Sequence, residues 1–193
     1  HSRVRRQRQM CIRDSSIMDQ ADLHEAMFQK MNIRKAHLLA HDYGDTVAQE
    51  LLARHLDRKA AGDETFQIQS LCFLNGGLFP ETHLARPIQK LLISPIGYLL
   101  TRLTSKKTLE RSFKNIFGAE TQPTAQEIDE FWDLLAYNGG QRVMHLLIRY
   151  MTDRKTYRDR WVSAMQKTEI PLRLINGPVD PVSGLHMTER YKE

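Results

Sequence analysis

The pentapeptide Ala40-His41-Asp42-Tyr43-Gly44 sets a carboxylate midway between two small residues. That spacing suits a turn from a strand into a helix, so tight that larger side chains two positions either side of the central residue would clash. The residues before it, Ala36 to Ala40, are a short, mostly apolar run, and those after it, from Gly44 to Leu56, carry a helical stripe of Val47, Ala48, Leu51 and Leu52. A carboxylate raised on such a turn stands at the carboxyl end of a strand. It also lies near a helix N-terminus, whose partial positive charge favours an anion. The backbone N–H of Tyr43 then supplies half of an oxyanion hole. Aspartate in this place points away from serine-type acyl transfer. It would attack a carbon electrophile and form an alkyl ester, which activated water hydrolyses. Taken alone, His-Asp-Tyr-Gly reads as a helix cap; the strand before it and the helix after it favour a nucleophile.

A second acid follows another strand-ending turn. Pro171 to Ile175 reads as a strand, Asn176-Gly177 as its end, and Asp180 stands three residues beyond the glycine. Alone, this is a turn-forming Asp before proline. Paired with Asp42, it reads as the acid that orients a catalytic histidine, in the chain order nucleophile then acid.

The elements that must hold these residues are legible as a pattern. Residues 19–31 read as an amphipathic helix with Asp19 as N-cap and Leu23, Ala26, Met27 and Met31 recurring along one face. Phe66 to Leu74 reads as a strand that Asn75-Gly76-Gly77 terminates. Helix, strand, turn, helix, strand implies a parallel sheet with crossover helices, an α/β class. From Pro80 to Glu169 the pattern is helical, with Thr124-Ala125-Gln126-Glu127 as a capping box and Asn138-Gly139-Gly140 as a break. Helices are expected from Val143 to Met151 and from Arg158 to Met165. A helical block between two strand-ending turns reads as a cap inserted over the sheet. The expected division is a non-native leader (1–15), a core part with the elbow strand and the next strand (16–79), a helical cap (80–169) and a core strand with its acid turn (170–193).

Composition removes several function classes. The formal charge is +5, but Arg3, Arg5, Arg6, Arg8 and Arg13 against Asp14 place four of those charges in the first fifteen residues. The body therefore lacks the basic character of a nucleic-acid-binding protein, and no motif of one is present. The stretch Met10-Cys11-Ile12-Arg13-Asp14-Ser15 resembles translated adapter sequence and has no apolar core of a secretion signal. No apolar run approaches the ~20 residues that cross a membrane. The expected location is cytoplasmic, with membrane attachment of the full-length protein left open. Two cysteines, Cys11 and Cys72, imply no disulfide framework, and Cys72 is expected to pack as a small buried hydrophobe. No histidine or cysteine pair has metal-ligand spacing, and no glycine-rich phosphate loop is present. No cofactor is expected.

Together, the His-Asp-Tyr-Gly turn, the helical insertion and the Gly-x-x-Asp turn resemble the epoxide hydrolase and haloalkane dehalogenase branch of the α/β-hydrolase superfamily. Four stretches narrow the resemblance: Leu38 to Asp45; Ser70-Leu71-Cys72 with Asn75-Gly76-Gly77; Phe79-Pro80-Glu81-Thr82-His83; and Gly177 to Val182. They resemble the family of mesoderm-specific transcript protein-like hydrolases over roughly residues 16–185. The resemblance implies a partial α/β-hydrolase fold with a helical cap, Asp42 as nucleophile, Asp180 as triad acid and a small, apolar substrate. It leaves epoxide, halide and ester chemistry open. Where dehalogenases carry tryptophan this chain has Tyr43, which puts halide binding in question. Epoxide hydrolases use cap tyrosines as proton donors; Tyr150 matches best and Tyr157 is second, each against the plainer expectation of a packed ring. His41 is expected to pack or hydrogen-bond. The catalytic histidine, a His-Gly oxyanion loop and the early and last strands are expected to lie outside this chain, so the segment alone is expected to be inactive. His186, six residues past Asp180, is expected in a loop or at a helix start. A non-catalytic, binding-only use of the fold is the alternative; having both Asp42 and Asp180 speaks against it.

Overall fold

The computed structural model of the protein describes residues 16–84, 86–180 and 182–193. The expected leader, 1–15, lies outside them. Two units emerge, one reaching to Arg86 and resuming at Arg149–Glu193, the other spanning Pro87–Ile148.

The first unit opens with α1, Ile17–Lys30. Its N-cap is Ser16, not Asp19. The Ser16 hydroxyl accepts from the Asp19 amide at 3.0 Å and donates to the Asp19 carboxylate at 2.7 Å, so Asp19 completes the cap from inside the helix. The buried face is also a correction: Ile17, Ala21 and Phe28 are inside, whereas Leu23, Met27 and Met31 are exposed. Both sets obey a helical period. Charge decides between them, because Asp22 and Glu25 reach Arg54, and Glu25 reaches Arg58, on the neighbouring helix.

That neighbour is α2, Tyr43–Ala60, which links β1 (Lys35–His41) to β2 (Gln67–Leu74). A third strand, β3 (Leu172–Ile175), pairs on the far side of β2. All three run parallel in the order β1-β2-β3. The register skips one residue: Ala36 faces Ile68 and His37 faces Ser70, leaving Gln69 as a bulge. The skip shifts the alternation so that Ala36, Leu38 and Ala40 share a face with Ile68, Leu71 and Phe73, and α2 packs against it. Cys72 points the other way and is only half-buried. The bulge, which no pattern in the chain announces, turns it out of the core.

The second unit holds helices joined by turns and, among its described residues, no strand. It contains α3 (Pro87–Ile93), α4 (Gly97–Arg102), α5 (Lys106–Lys114), α6 (Ala125–Ala136) and α7 (Met144–Leu147). The capping box at Thr124 and Glu127 is present in both directions, and Phe113 meets Phe131 edge-on at 5.1 Å. The break at Asn138-Gly139 is real, with φ of 51° and 77°. The chain then returns to the first unit through α8 (Tyr150–Thr156) and α9 (Arg158–Lys167), and ends after β3 in α10 (Leu185–Lys192). Of the block expected over 80–169, the residues before 87 and those from 149 on group with the sheet.

The first three turns of α2 are buried on all sides, polar residues included, so those residues must find partners. Glu50 is the busiest. It accepts from Arg54 Nε at 2.8 Å, Arg160 Nε at 3.0 Å and Trp161 Nε1 at 2.7 Å. Burial alone would raise its pKa, but the bonds from Arg160, Arg54 and Trp161 outweigh that and hold the carboxyl below its usual range. Glu50 thereby fastens α9 to α2. Glu50→Ala leaves two guanidinium groups and a buried indole N–H short of an acceptor. It is expected to cost about 3–5 kcal/mol in urea unfolding; a loss under ~1 kcal/mol would show that the hub is not structural.

Candidate active site

At the end of β1 the chain turns through a single residue. His41 closes the strand, Tyr43 opens α2, and Asp42 between them has φ 50° and ψ −108°. For a residue with a side chain, this left-handed backbone costs on the order of 1–3 kcal/mol and persists only where its surroundings impose it. Here the Asp42 amide donates to the Leu74 carbonyl at 3.2 Å, and the Asp42 carbonyl accepts from the Asp45 amide at 3.1 Å. The Asp42 side chain makes no capping bond to the helix and is exposed. Among the small residues of the turn, a Cβ placed on Gly44 would lie 4.0 Å from Ala40 Cβ. That is ordinary van der Waals contact, so an alanine would fit there. His41 is exposed rather than packed.

Tyr43 is the first residue of α2, so its N–H has no partner within the helix. Its ring meets that of Tyr150 edge-on at 5.3 Å. Burial, then the charges of Asp153 and Asp19, push the Tyr43 phenol up to about 12. Burial also raises Tyr150, with Arg154 opposing and Asp42 reinforcing the shift. Both phenols therefore keep their protons at neutral pH. Tyr150 belongs to the first unit and lies within electrostatic reach of Asp42. Tyr157 instead packs on Trp161 at 5.5 Å between centroids.

The second acid stands two strands away. His41, Leu74 and Ile175 are level in the sheet, so the turns of Asp42 and Asp180 leave the same sheet end, with strand axes roughly 10 Å apart. The Asp180 carboxylate accepts from Asn75 Nδ2 at 2.9 Å and from the Val182 amide at 2.7 Å. Its loop is closed by Asn176 Nδ2 donating to the Ser183 carbonyl at 2.6 Å and by Leu185 N donating to the Pro178 carbonyl at 3.2 Å. His186 lies in the first turn of α10 with Nε2 at 3.2 Å from the Val182 carbonyl.

Beneath these turns is a polar layer that pattern reading missed. Asp45 is fully buried; its Oδ1 accepts from the Leu74 amide at 3.4 Å and its Oδ2 has no hydrogen-bond partner among the described residues. Arg154, 2% exposed, donates from Nε to Thr46 Oγ1 at 2.8 Å and stacks on the Tyr150 ring at 4.6 Å. Two adjacent glycines make room: a Cβ on Gly76 would sit 2.2 Å from Asp45 Oδ2, and one on Gly77 would sit 2.6 Å from Arg154 Nη1. The Gly-Gly pair was the available signal, since close backbone approach is one reason for glycine after a strand.

The fold has precedent at low sequence identity. A mutant of N-acyl homoserine lactonase AidH, crystallised with N-hexanoyl homoserine lactone, superposes with a TM-score of 0.58 at 14% identity, over 87% of this chain and 54% of its own. By sequence, mesoderm-specific transcript protein of mouse (Mus musculus) is 40% identical over 175 residues, 87% of this chain and 50% of the relative. The chain has a partial α/β-hydrolase fold. A Mycobacterium tuberculosis protein, LipZ, is 36% identical over 178 residues, 92% of this chain and 60% of that protein. The chain thus spans about half the length of the curated relatives it matches. No protein-family model matches it.

The buried acid gives a pH test. Burial raises the Asp45 carboxyl from its ordinary 3.8 to about 7, against opposing bonds and charge from Leu74 and Arg154. Between those values the folded state holds a proton that the unfolded state has released. Stability should therefore fall as pH rises from about 4 to 7 and then level off. Asp45→Asn should remove that slope and gain on the wild type above pH 7, on the order of a few kcal/mol. Parallel stability curves for the two proteins in chemical denaturation would contradict it.

Proposed function

We propose that Asp42 is the nucleophile of an epoxide hydrolase-like enzyme and that Asp180 is its triad acid. The observation that carries this is the Asp42 turn: a left-handed backbone between strand and helix, with an exposed carboxylate that caps nothing. A carboxylate Oδ of Asp42 attacks an epoxide carbon, and the carbon–oxygen bond of the ring breaks. The freed oxygen takes a proton from a phenol, Tyr150 in first place. The product of this step is an alkyl ester on Asp42. A histidine base oriented by Asp180 then takes a proton from water, whose oxygen attacks the ester carbonyl; the bond from that carbonyl carbon to the product oxygen breaks, the diol leaves with the histidine's proton, and the tyrosinate regains a proton from solvent. The Tyr43 N–H, unused by the helix, faces the oxyanion that forms.

In this proposal the base comes from the remainder of the full-length protein, since His186 is engaged at the Val182 carbonyl. The segment by itself is then inactive. The substrate is a small, apolar electrophile. Haloalkanes are less suited, because a tyrosine at 43 has a different reach from an indole N–H. Ester hydrolysis of the serine type would need a hydroxyl where Asp42 stands.

The full-length reading frame that encodes this segment, incubated with epoxides, haloalkanes and aryl esters, should form a covalent adduct on the peptide containing Asp42 with epoxides first. Asp42→Ala should lose the adduct and at least roughly a thousandfold in turnover. A folded full-length protein with no adduct and no turnover on any of the three classes would favour a binding-only use of the fold.

A further inference from the structure

Asn75 stands between the two acid turns and is committed to both ends of one of them. Its backbone is left-handed, φ 49°, which asparagine, aspartate and glycine tolerate and other residues resist. Its amide donates to the Ile175 carbonyl at 3.0 Å, holding the end of β2 against the end of β3. Its side chain then uses both functions at once. Oδ1 accepts from the Gly177 amide at 2.8 Å, and Nδ2 donates to Asp180 Oδ2 at 2.9 Å. The left-handed backbone sets that side chain between the turn's entry at Gly177 and its acid at Asp180.

The Val182 amide fixes the other oxygen, Oδ1, at 2.7 Å. Each carboxylate oxygen has one donor and keeps a further lone-pair site for a second. A carboxylate held this way by two fixed donors cannot rotate freely about its Cβ–Cγ bond, yet it can still accept from an imidazole N–H.

We propose that Asn75 is the positioning residue of this site: it fixes the Asp180 carboxylate in the orientation that a histidine base requires. This rests on the reading of Asp180 as triad acid. Both side-chain functions of Asn75 are engaged on the Asp180 turn, so its influence is confined to the step that needs the base. Attack by Asp42 does not need it; hydrolysis of the resulting ester does.

The test uses the full-length protein with Asn75→Gly and Asn75→Asp. Glycine keeps the left-handed backbone and removes the side chain. Aspartate keeps an acceptor for Gly177 and sets a carboxylate against Asp180. In rapid-quench mass spectrometry both variants should form the Asp42 adduct at about the wild-type rate and hydrolyse it at least roughly tenfold more slowly, so the adduct accumulates. Hydrogen exchange at the Gly177 amide should quicken in Asn75→Gly and stay slow in Asn75→Asp. That split separates orientation of Asp180 from mere support of the turn, which would impair both steps together. If the wild type forms no adduct, the nucleophile reading falls, and exchange of the Asn75 Nδ2 hydrogens decides the present proposal. Slow exchange that becomes fast in Asp180→Ala sustains it. Exchange as fast as in a free amide, or unchanged adduct hydrolysis in both variants, overturns it.

Discussion

The carboxyl end of β2 fastens both acid turns. The Leu74 carbonyl takes the Asp42 amide, and the Leu74 amide donates to Asp45, three residues further along the same turn. One residue on, Asn75 holds Gly177 and Asp180. A central strand paired on both sides is the stiffest available place for such attachments. A shift of β2 by one residue would invert its faces and detach both acids together. The bulge at Gln69 keeps that register compatible with a buried Ile68 as well as a buried Leu71 and Phe73.

The positive φ at Asp42 is a cost that the rest of the unit must offset, and α2 is where it is offset. Its apolar stripe lies on the sheet, its polar residues reach α1, α8 and α9, and Glu50 gathers three donors at its midpoint. A helix fixed on every side cannot rotate to relax the residue that precedes it. Asp45 and Arg154 continue the same theme nearer the turn. They are buried, charged or chargeable, and accommodated only because Gly76 and Gly77 carry no side chains. The polar layer under Asp42 therefore constrains the turn by shape as well as by charge.

Much of this was legible in the chain. Three strands, the helix after Asp42, the helical run expected from 80 to 169 and the capping box at Thr124 follow from period, glycine breaks and local hydrogen-bond chemistry. So does the placement of Asp42 and Asp180 at strand-ending turns. What period cannot decide is which of two helical faces meets a partner. In α1 the ion pairs from Asp22 and Glu25 chose Ile17, Ala21 and Phe28 over Leu23, Met27 and Met31. A bulge leaves no signature in alternation, which is why Cys72 was expected to be buried and is half-buried instead. Asn75, Asp45 and Arg154 were passed over because their partners lie far away in sequence: 105 residues separate Asn75 from Asp180, and 108 separate Arg154 from Thr46.

The proposed chemistry makes one demand on oxygen that no direct attack by water can mimic. In a single turnover of excess full-length enzyme with an epoxide in ¹⁸O-water, the product should take its new oxygen from Asp42. The label should appear in the Asp42 carboxylate, because water attacks the ester carbonyl. Mass spectrometry of the peptide and of the diol reads both fates at once. Label in Asp42 and an unlabelled diol is the result this account predicts. Label in the diol with Asp42 unlabelled would mean that water attacks the substrate itself, and that Asp42 is not the nucleophile.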